Sequence, residues 1–316
     1  MGAGGAYNLQ NLGDKYLKEI IQSRAFSVQK PSSDELDVDV DKIVDRCVGS
    51  PLAAKAFGSM LSTKTSIQEW KDMLAKSNIC DERTEIFPIL KLSYDDLPSD
   101  MKQCFAFCAV FPRDYEIDVE SLIQLWMAHD LIPAQDEDNP DLIGKEIFNQ
   151  LAWRSFFQDV KQTPSPIDDY GRRKQLRGGK ICRMHDLMHD VALSIMGKEC
   201  ATIADGANVM SLSKPIRHMF ISYQRPGTRL DDFLKKHSST LQTLLYSHPW
   251  IYFESAPHLS KYNSLRAMQL CRLEKLPVVT LRYLRKTSSC SFPSLYFEHL
   301  HLSNSFNVFT FLELKC

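Results

Sequence analysis

The sequence lacks the features that mark a membrane or secreted protein. It has no apolar run near the roughly 18 residues that a bilayer-spanning helix needs. The first residues, MGAGGAYNLQ, contain neither the basic nor the apolar segment of a signal peptide. The nine cysteines are scattered and form no C-x-x-C pair, so we expect reduced thiols in protein cores. These absences predict a cytoplasmic protein that can also be nuclear.

A strong net charge and a phosphate-binding loop are missing as well. The 38 basic and 39 acidic side chains leave a formal charge of −1, which gives no global field for nucleic acid or anionic lipid. The sequence contains no G-x-x-x-x-G-K-[ST]. Gly178-Gly-Lys is followed by Ile181 and has no earlier glycine. Without such a loop the amides and the lysine that hold nucleotide phosphates are absent, so we expect no enzyme activity.

Apolar residues at helical spacing are abundant, and they predict a mainly α-helical, multidomain chain. The strongest pattern lies in residues 89–132, where four apolar side chains follow the i, i+3, i+4, i+7 rule. These are Met101, Cys104, Phe105 and Cys108. Phe111-Pro112 is predicted to end this helix, because the residue before a proline avoids the α region. Asp118 is predicted to cap the next helix, over residues 119–127.

Residues 9–80 predict an all-helical bundle. A helix break is expected at Gly49-Ser50-Pro51, where glycine can end one helix, serine can cap the next and proline suits the first helical position. We expect Trp126 and Trp153 in cores as well, because both lie in apolar helical stripes. The predicted apolar positions of the bundle are Leu12, Tyr16, Ile20, Ile21, Leu52, Ala56, Met60, Ile67, Trp70 and Leu74.

The segment that follows predicts a winged helix, because three helices lead into a β-hairpin. A helix is expected from Ile143, then a strand at FFQDV (156–160), a long turn, and a second strand at KICRM (180–184). A closing helix is predicted over residues 184–196. Its apolar face is predicted to carry Met184, Leu187, Met188, Val191 and Ile195, and its other side His185 and His189.

The last part of the chain predicts the start of an α/β leucine-rich-repeat solenoid. LQTLL from Leu241 and LRAMQL from Leu265 partly match L-x-x-L-x-L and lie 24 residues apart. LRYL from Leu281 follows at a shorter interval. Two later segments, residues 297–302 and 309–314, are weaker matches.

Four motifs in this order resemble those of plant NB-ARC leucine-rich-repeat disease-resistance proteins. GSPLA from Gly49 resembles the family's GLPLA motif, and CFAFCAVFP from Cys104 with LWMA from Leu125 resembles its winged helix. MHD from Met184 is similar to the family's MHD motif, and the leucine repeats come next. WRSFFQDV from Trp153 is closer to the coiled-coil branch.

The resemblance implies three parts. Residues 1–90 would hold the end of the nucleotide-binding domain and a helical ARC1 bundle, 91–198 the winged-helix (ARC2) domain, and 199–316 a linker with irregular repeats. The chain is thus expected to be truncated, without the phosphate-loop part and most of the repeats. A non-functional gene fragment is an alternative that this expectation leaves open.

In the family the NB-ARC module is a nucleotide-dependent switch, which ADP holds closed and which exchange for ATP opens. The resemblance implies that Pro51 packs beside adenine, supported by Gly49 and Leu52. It implies that His185 approaches the β-phosphate of ADP, supported by Asp186. A histidine in the first turn of a helix can donate to a phosphate near the helix's positive end. Since the phosphate loop is absent, we expect weak ADP or ATP binding or none.

The implied partners follow from the same family. They are intramolecular contacts with the nucleotide-binding and repeat domains, a pathogen effector or guarded host protein, and further copies of the receptor on activation. The implied role is an innate immune receptor in plant defence, including the hypersensitive response.

Two other interpretations arise from the residues themselves. HDLMH from His185 is close to the zinc motif H-E-x-x-H, but aspartate is shorter than glutamate and no third ligand motif follows, so we expect no metal site. A winged-helix nucleic-acid binder would use a basic wing on phosphates. Residues 119–127 offer little except Gln124 to read bases, so a nucleic-acid binder stays the alternative function and not the favoured one. The wing residues are Arg172, Arg173, Lys174, Arg177, Lys180 and Arg183.

Overall fold

The structure is a computed structural model. The residues that it describes are 11–27, 35–64, 66–76, 86–133, 139–162, 179–204, 216–222, 236–247, 264–270 and 310–311. The predictions for the wing residues 172–177, for LRYL from Leu281, for residues 297–302 and for most of 309–314 lie outside them. The chain divides into two compact units. These are Met1–Lys102 with Asn149–Gln158, and Gln103–Phe148 with Asp159–Cys316. The boundaries 1–90, 91–198 and 199–316 stay predictions.

The first unit contains a helical bundle with one apolar core. Phe57 and Trp70 are among its largest fully buried side chains. The helices are α1 (Asp14–Ala25), α2 (Glu35–Cys47), α3 (Pro51–Leu61), α4 (Ile67–Lys76) and α5 (Phe87–Asp95).

The apolar face of α1 differs from the predicted one, because Leu17 and Ala25 were not among the predicted positions and Tyr16 is not buried. Leu17, Ile21 and Ala25 are buried at spacings of four residues, which is the stripe that an α-helix turns toward a core. Tyr16 is 57% exposed, so its predicted core position was wrong. One residue corresponds to about 100° around a helix, and Tyr16 therefore lies on the outer face. The predictions for Ile67 and Leu74 lie outside the described side chains.

Trp153 is the second correction. It ends helix α8 (Pro140–Trp153) and is 39% exposed, although it lies in an apolar stripe whose members Ile147 and Leu151 are buried. The guanidinium of Arg24 lies 5.9 Å from its ring centroid, within the range of a cation–π interaction. Trp153 is thus a partly exposed residue whose ring contacts Arg24, and it does not belong to the core.

The winged-helix segment combines helices with a small sheet of order β1-β3-β2, in which β1 pairs antiparallel with β3. Asp118 caps α7 as predicted, because its Oδ1 accepts a hydrogen bond from the Ser121 amide at 2.8 Å. Trp126, Cys104 and Cys108 are fully buried, as predicted. The elements are α6 (Ser99–Phe107), a 3-10 turn (Cys108–Val110), β1 (Ile117–Asp118), α7 (Val119–Ala128), α8, β2 (Phe157–Gln162), β3 (Lys180–Met184) and α9 (Asp186–Met196).

The start of the last helix was predicted too early. Met184 is the final residue of β3, and α9 begins only at Asp186. Met184 is buried as expected, but it belongs to strand β3 and not to the helix. The apolar pattern alone did not show this, because a buried residue at the end of a strand continues the apolar stripe of the helix that follows.

A second sheet has the order β4-β5-β6-β7-β8. Its first four strands are parallel, and β8 pairs antiparallel with β7. His218 lies opposite Thr243, and Thr243 lies opposite Ala267. The strands are β4 (Cys200–Ala204), β5 (His218–Ser222), β6 (Thr243–Tyr246), β7 (Ala267–Leu270) and β8 (Thr310–Phe311). The chain is thus mainly helical, with small sheets. None of the helices in the described residues has the length and apolar character that a membrane span requires.

Candidate functional site

His185 is the N-cap of helix α9 and does not lie in its first turn, where it was expected. Its backbone is extended (φ −65°, ψ 141°). Its ring Nδ1 accepts a hydrogen bond from the Leu187 amide at 3.2 Å, which satisfies one of the helix's free N–H groups. The side chain is half-buried, and Asp186 beside it is exposed.

This contact fixes the tautomer of the neutral ring. Because Nδ1 accepts, it carries no proton, and the proton of the imidazole is on Nε2. Nε2–H is therefore a donor at the end of the helix where the backbone dipole favours negative charge. Asp186, the first helical residue, is an acid at the favourable end of the same dipole.

The second histidine of the segment has a different environment. His189 is only 6% exposed, and its Nε2 lies 2.8 Å from the backbone oxygen of Phe111. The prediction that His189 lies on the side of the helix opposite the apolar face was therefore wrong, because this side chain is buried. Within the described part of the chain, no group of three or more His, Cys, Asp or Glu side chains could hold a metal ion.

The start of α3 confirms the predicted helix break. Gly49 has a φ of 74°, and the Ser50 hydroxyl accepts a hydrogen bond from the Ala53 amide at 3.3 Å. Pro51 is the first residue of α3 and is exposed, whereas Leu52 is only half-buried instead of buried.

Gly49 is required here for two reasons. Its left-handed backbone suits glycine, and a Cβ at this position would lie 2.4 Å from Cβ of Asn11. The Leu12 amide also donates to the Gly49 oxygen at 3.0 Å. Val48, which precedes it, has a φ of 47°. A β-branched residue in this conformation is a strained outlier, which the sequence pattern did not reveal.

Pro51 belongs to the first unit and His185 to the second, and each is described within its own unit. Gly49, Pro51 and Leu52 lie together at the start of α3. His185 and Asp186 lie together at the start of α9.

Sequence reasoning missed a buried polar cluster in the second unit. His129 Nε2 lies 2.7 Å from the Thr243 hydroxyl, and His218 Nδ1 lies 2.9 Å from the same oxygen. All three side chains are at most 7% exposed. Burial, with a further contribution from Arg266, lowers the pKa of His129 to about 4. Burial, followed by His129, Arg217 and Arg266, lowers the pKa of His218 to about 3.

Aromatic and charged contacts surround this His129–Thr243–His218 cluster. The ring of Phe107 lies 4.8 Å from that of His129 and 5.3 Å from that of His218. Arg266 pairs with Asp130 at 3.1 Å. The cluster joins the end of α7 to strands β5 and β6. No sequence signal could have found it, because its members are up to 114 residues apart.

The helix that would read bases in a nucleic-acid binder, α7, is largely buried. Helix α7 buries most of its side chains, including Leu122 and Trp126. Its Glu120 pairs with Lys145 at 3.4 Å, and Arg183 on β3 pairs with Glu116 at 2.6 Å. The described surface of α7 therefore presents few groups that could contact bases.

Comparison with known proteins identifies the family. Residues 110–192 match the disease resistance protein winged helix domain. The chain is 31% identical over 282 residues to disease resistance protein RGA2 of Solanum bulbocastanum, a match that covers 88% of this chain and 25% of that protein. It is 36% identical over 197 residues to the putative disease resistance protein RGA4 of the same species, covering 62% and 19%.

A third relative is disease susceptibility protein LOV1 of Arabidopsis thaliana, 28% identical over 300 residues, covering 85% of this chain and 32% of that protein. The chain thus spans a third or less of the length of these relatives. The chain belongs to the family of plant disease resistance proteins that carry this winged helix domain.

Proposed function

We propose that this chain is the control part of a nucleotide-dependent switch in a plant immune receptor. In this proposal the winged helix presents His185 to the β-phosphate of ADP. Pro51, described within its own unit, is proposed to offer a surface to an adenine base. The observation that carries the proposal is the capping geometry of His185, which leaves Nε2–H as a donor at the positive end of α9.

The residues present fit a nucleoside diphosphate. A neutral imidazole N–H can donate to a phosphate oxygen, and a helix N-terminus favours the anion. The exposed ring of Pro51 is a suitable apolar surface for a base, and Gly49 with Ser50 fixes the backbone from which it projects. The bound nucleotide would supply a charge that differs between its diphosphate and triphosphate forms.

Hydrolysis is not part of this proposal. The sequence has no phosphate loop, so the role proposed here is switch control in defence signalling and not catalysis. Recognition of a pathogen effector or guarded host protein, self-association on activation, and cytoplasmic or nuclear location are proposed for the whole receptor.

We also propose that the parallel sheet begins a leucine-rich-repeat solenoid. The paired residues His218, Thr243 and Ala267 follow one another at intervals of 25 and 24 residues, which lies within the period of such repeats. IRHMFI from Ile216 fits L-x-x-L-x-L, with Ile216, Met219 and Ile221 fully or nearly fully buried. Sequence analysis missed this repeat, because its positions hold isoleucine and methionine instead of leucine.

Ligand titrations followed by NMR test the nucleotide proposal. In a chain with 15N-labelled histidine rings, we expect ADP to shift the His185 ring signals weakly, and adenosine at the same concentration to leave them unchanged. The variant His185→Ala should bind ADP less tightly than wild type, with Val160→Ala as the control, because Val160 is exposed. An equal response to adenosine, or unchanged ADP binding by His185→Ala, would overturn the proposal. Micromolar ADP affinity would contradict the expected weak binding.

A further inference from the structure

We propose that His189 and Asp190 are positioning residues that orient His185, by fastening helix α9 to the turn at residues 111–113. The inference rests on the proposed function, because it concerns how the donor of that site is held. It assigns a role to the second of two identical Met-His-Asp triplets, residues 188–190.

The two triplets are adjacent in MHDLMHD, which runs from Met184 to Asp190. Residue types alone give both the same chemistry. The structure separates them, because Met184 ends a strand and His185 caps a helix, whereas His189 and Asp190 lie within α9.

His189 is connected to both the turn and the cap. Its buried Nε2 donates to the Phe111 oxygen at 2.8 Å, and the ring proton must therefore be on Nε2. Its backbone N–H donates to the His185 oxygen at 2.9 Å. His189 thus contacts the Phe111 oxygen through its side chain and the His185 oxygen through its backbone N–H.

Asp190 supplies a second attachment to the same turn. Its carboxylate pairs with the guanidinium of Arg113, two residues after Phe111. A single hydrogen bond would leave α9 free to rotate about that contact, whereas two contacts from neighbouring residues oppose rotation. The buried Met188 and Val191 hold the same segment of α9 by apolar packing.

The turn is itself fixed, so it can serve as an anchor. The Phe111 amide donates to the Cys108 oxygen at 3.2 Å. The Phe111 ring is stacked on Tyr115 with centroids 5.6 Å apart, and Tyr115 contacts Phe220 at 4.9 Å. Helix α9 is therefore attached to a turn that its own hydrogen bond and ring contacts hold in place.

The orientation of His185 follows from that of α9. Nδ1 of His185 is tied to the Leu187 amide, so the direction of Nε2–H turns with the first turn of the helix. Losing a hydrogen bond to a charged ligand group weakens binding by roughly tenfold to a hundredfold. The contacts of His189 with Phe111 and of Asp190 with Arg113 are therefore expected to affect how tightly His185 binds a phosphate.

Two substitutions at position 189 separate positioning from packing. In His189→Gln the amide nitrogen can replace Nε2–H toward Phe111, whereas His189→Leu keeps the bulk and removes the donor. We expect His189→Leu to move the Leu187 amide and the His185 ring signals in the ligand-free NMR spectrum. It should also weaken the binding of inorganic pyrophosphate, read from the His185 signals, by roughly tenfold to a hundredfold. His189→Gln should restore both.

The ligand-free readout makes the two proposals separable. If pyrophosphate leaves wild-type His185 unchanged but His189→Leu still shifts the cap signals, the nucleotide proposal fails and the positioning role stands. If His189→Leu folds and leaves the cap signals and the pyrophosphate response unchanged, the positioning role is overturned. Should His189→Leu unfold, Arg113→Gln and Asp190→Asn remove the second attachment, and the same shifts at His185 are expected from each; unchanged signals in both would overturn the role.

Discussion

Val48 is strained at the residue scale, and the strain lies next to a proposed ligand-contacting residue. Its φ of 47° is followed by the φ of 74° at Gly49, so two successive residues are left-handed before Pro51. Left-handed backbone costs an ordinary L-residue about 1–2 kcal/mol. The side chain is 39% exposed, so packing offsets only part of this cost.

The first prediction is that Val48→Asn stabilises the chain. Asparagine tolerates the left-handed region better than a β-branched residue, and we expect the free energy of unfolding to rise by about 1 kcal/mol. Urea denaturation followed by circular dichroism measures it. Val160→Asn is the matched control, because Val160 is also exposed but its φ is not positive. An equal gain in both variants would contradict the strain argument.

At the element scale, helices α1 and α3 cross closely at Gly58. A Cβ on Gly58 would lie 2.9 Å from the Ile21 backbone oxygen and 2.8 Å from Cβ of Arg24. Real Cβ atoms do not approach so closely, and a backbone oxygen cannot move away without shifting α1.

We therefore predict that Gly58→Ala destabilises the first unit, although alanine favours helices. The overpacking is expected to cost about 1–3 kcal/mol, which exceeds the gain of about 1 kcal/mol in helix propensity. Thermal unfolding measures the difference. Gly13→Ser is the control, because the nearest atom to its Cβ is 3.9 Å away. A Gly58→Ala variant as stable as wild type would show that α1 can shift freely.

His129 and His218, which are buried where α7 contacts β5 and β6, predict that stability depends on pH. Their folded pKa values of about 4 and about 3 lie below the unfolded value of about 6.5. The unfolded state therefore binds more protons below that pH. The stabilisation is complete above about pH 6.5 and is lost as pH falls toward 4, by on the order of 2 kcal/mol per histidine at pH 5.

Urea midpoints at pH 7, 6 and 5 test this expectation. The double variant His129→Gln, His218→Asn is the control, because glutamine places an amide near Nε2 and asparagine near Nδ1, the atoms that contact Thr243. We expect wild type to lose stability more steeply than the double variant. Parallel pH profiles would mean that the two histidines do not carry the effect.

Elements were more predictable than the faces that they bury. Spacing and capping chemistry located α3, α7 and the strand β3, because those signals are local. Tyr16 and Trp153 were misplaced, because an apolar side chain one residue off the stripe or at a helix end has the same sequence signature as a buried one. The His129–Thr243–His218 cluster depends on tertiary folding of distant segments.

The candidate site was predictable only in part. The residue types of Pro51 and His185 came from the family resemblance, and the sequence could not tell how the two Met-His-Asp triplets differ. That difference arises from Phe111, whose carbonyl meets the second histidine, and this tertiary contact has no counterpart in local sequence.

At the scale of the whole molecule, a net charge of −1 predicts weak, non-specific binding to DNA. Binding through phosphate contacts would fall steeply as salt rises. We expect no tight complex with duplex DNA at physiological salt in a fluorescence anisotropy titration. Tight binding that disappears when Arg172, Arg173 and Lys174 are changed to glutamine would instead support the nucleic-acid alternative.

The proposed phosphate contact depends on His185 acting as an N-cap with its proton on Nε2. The most direct measurement is the ring tautomer of His185 in the free chain at pH 7, from long-range 1H–15N correlations. We predict that Nε2 carries the proton and that Nδ1 shows the chemical shift of an acceptor bound to the Leu187 amide. A dominant Nδ1–H tautomer would contradict it, because that ring could neither cap α9 in this way nor present Nε2–H to a phosphate.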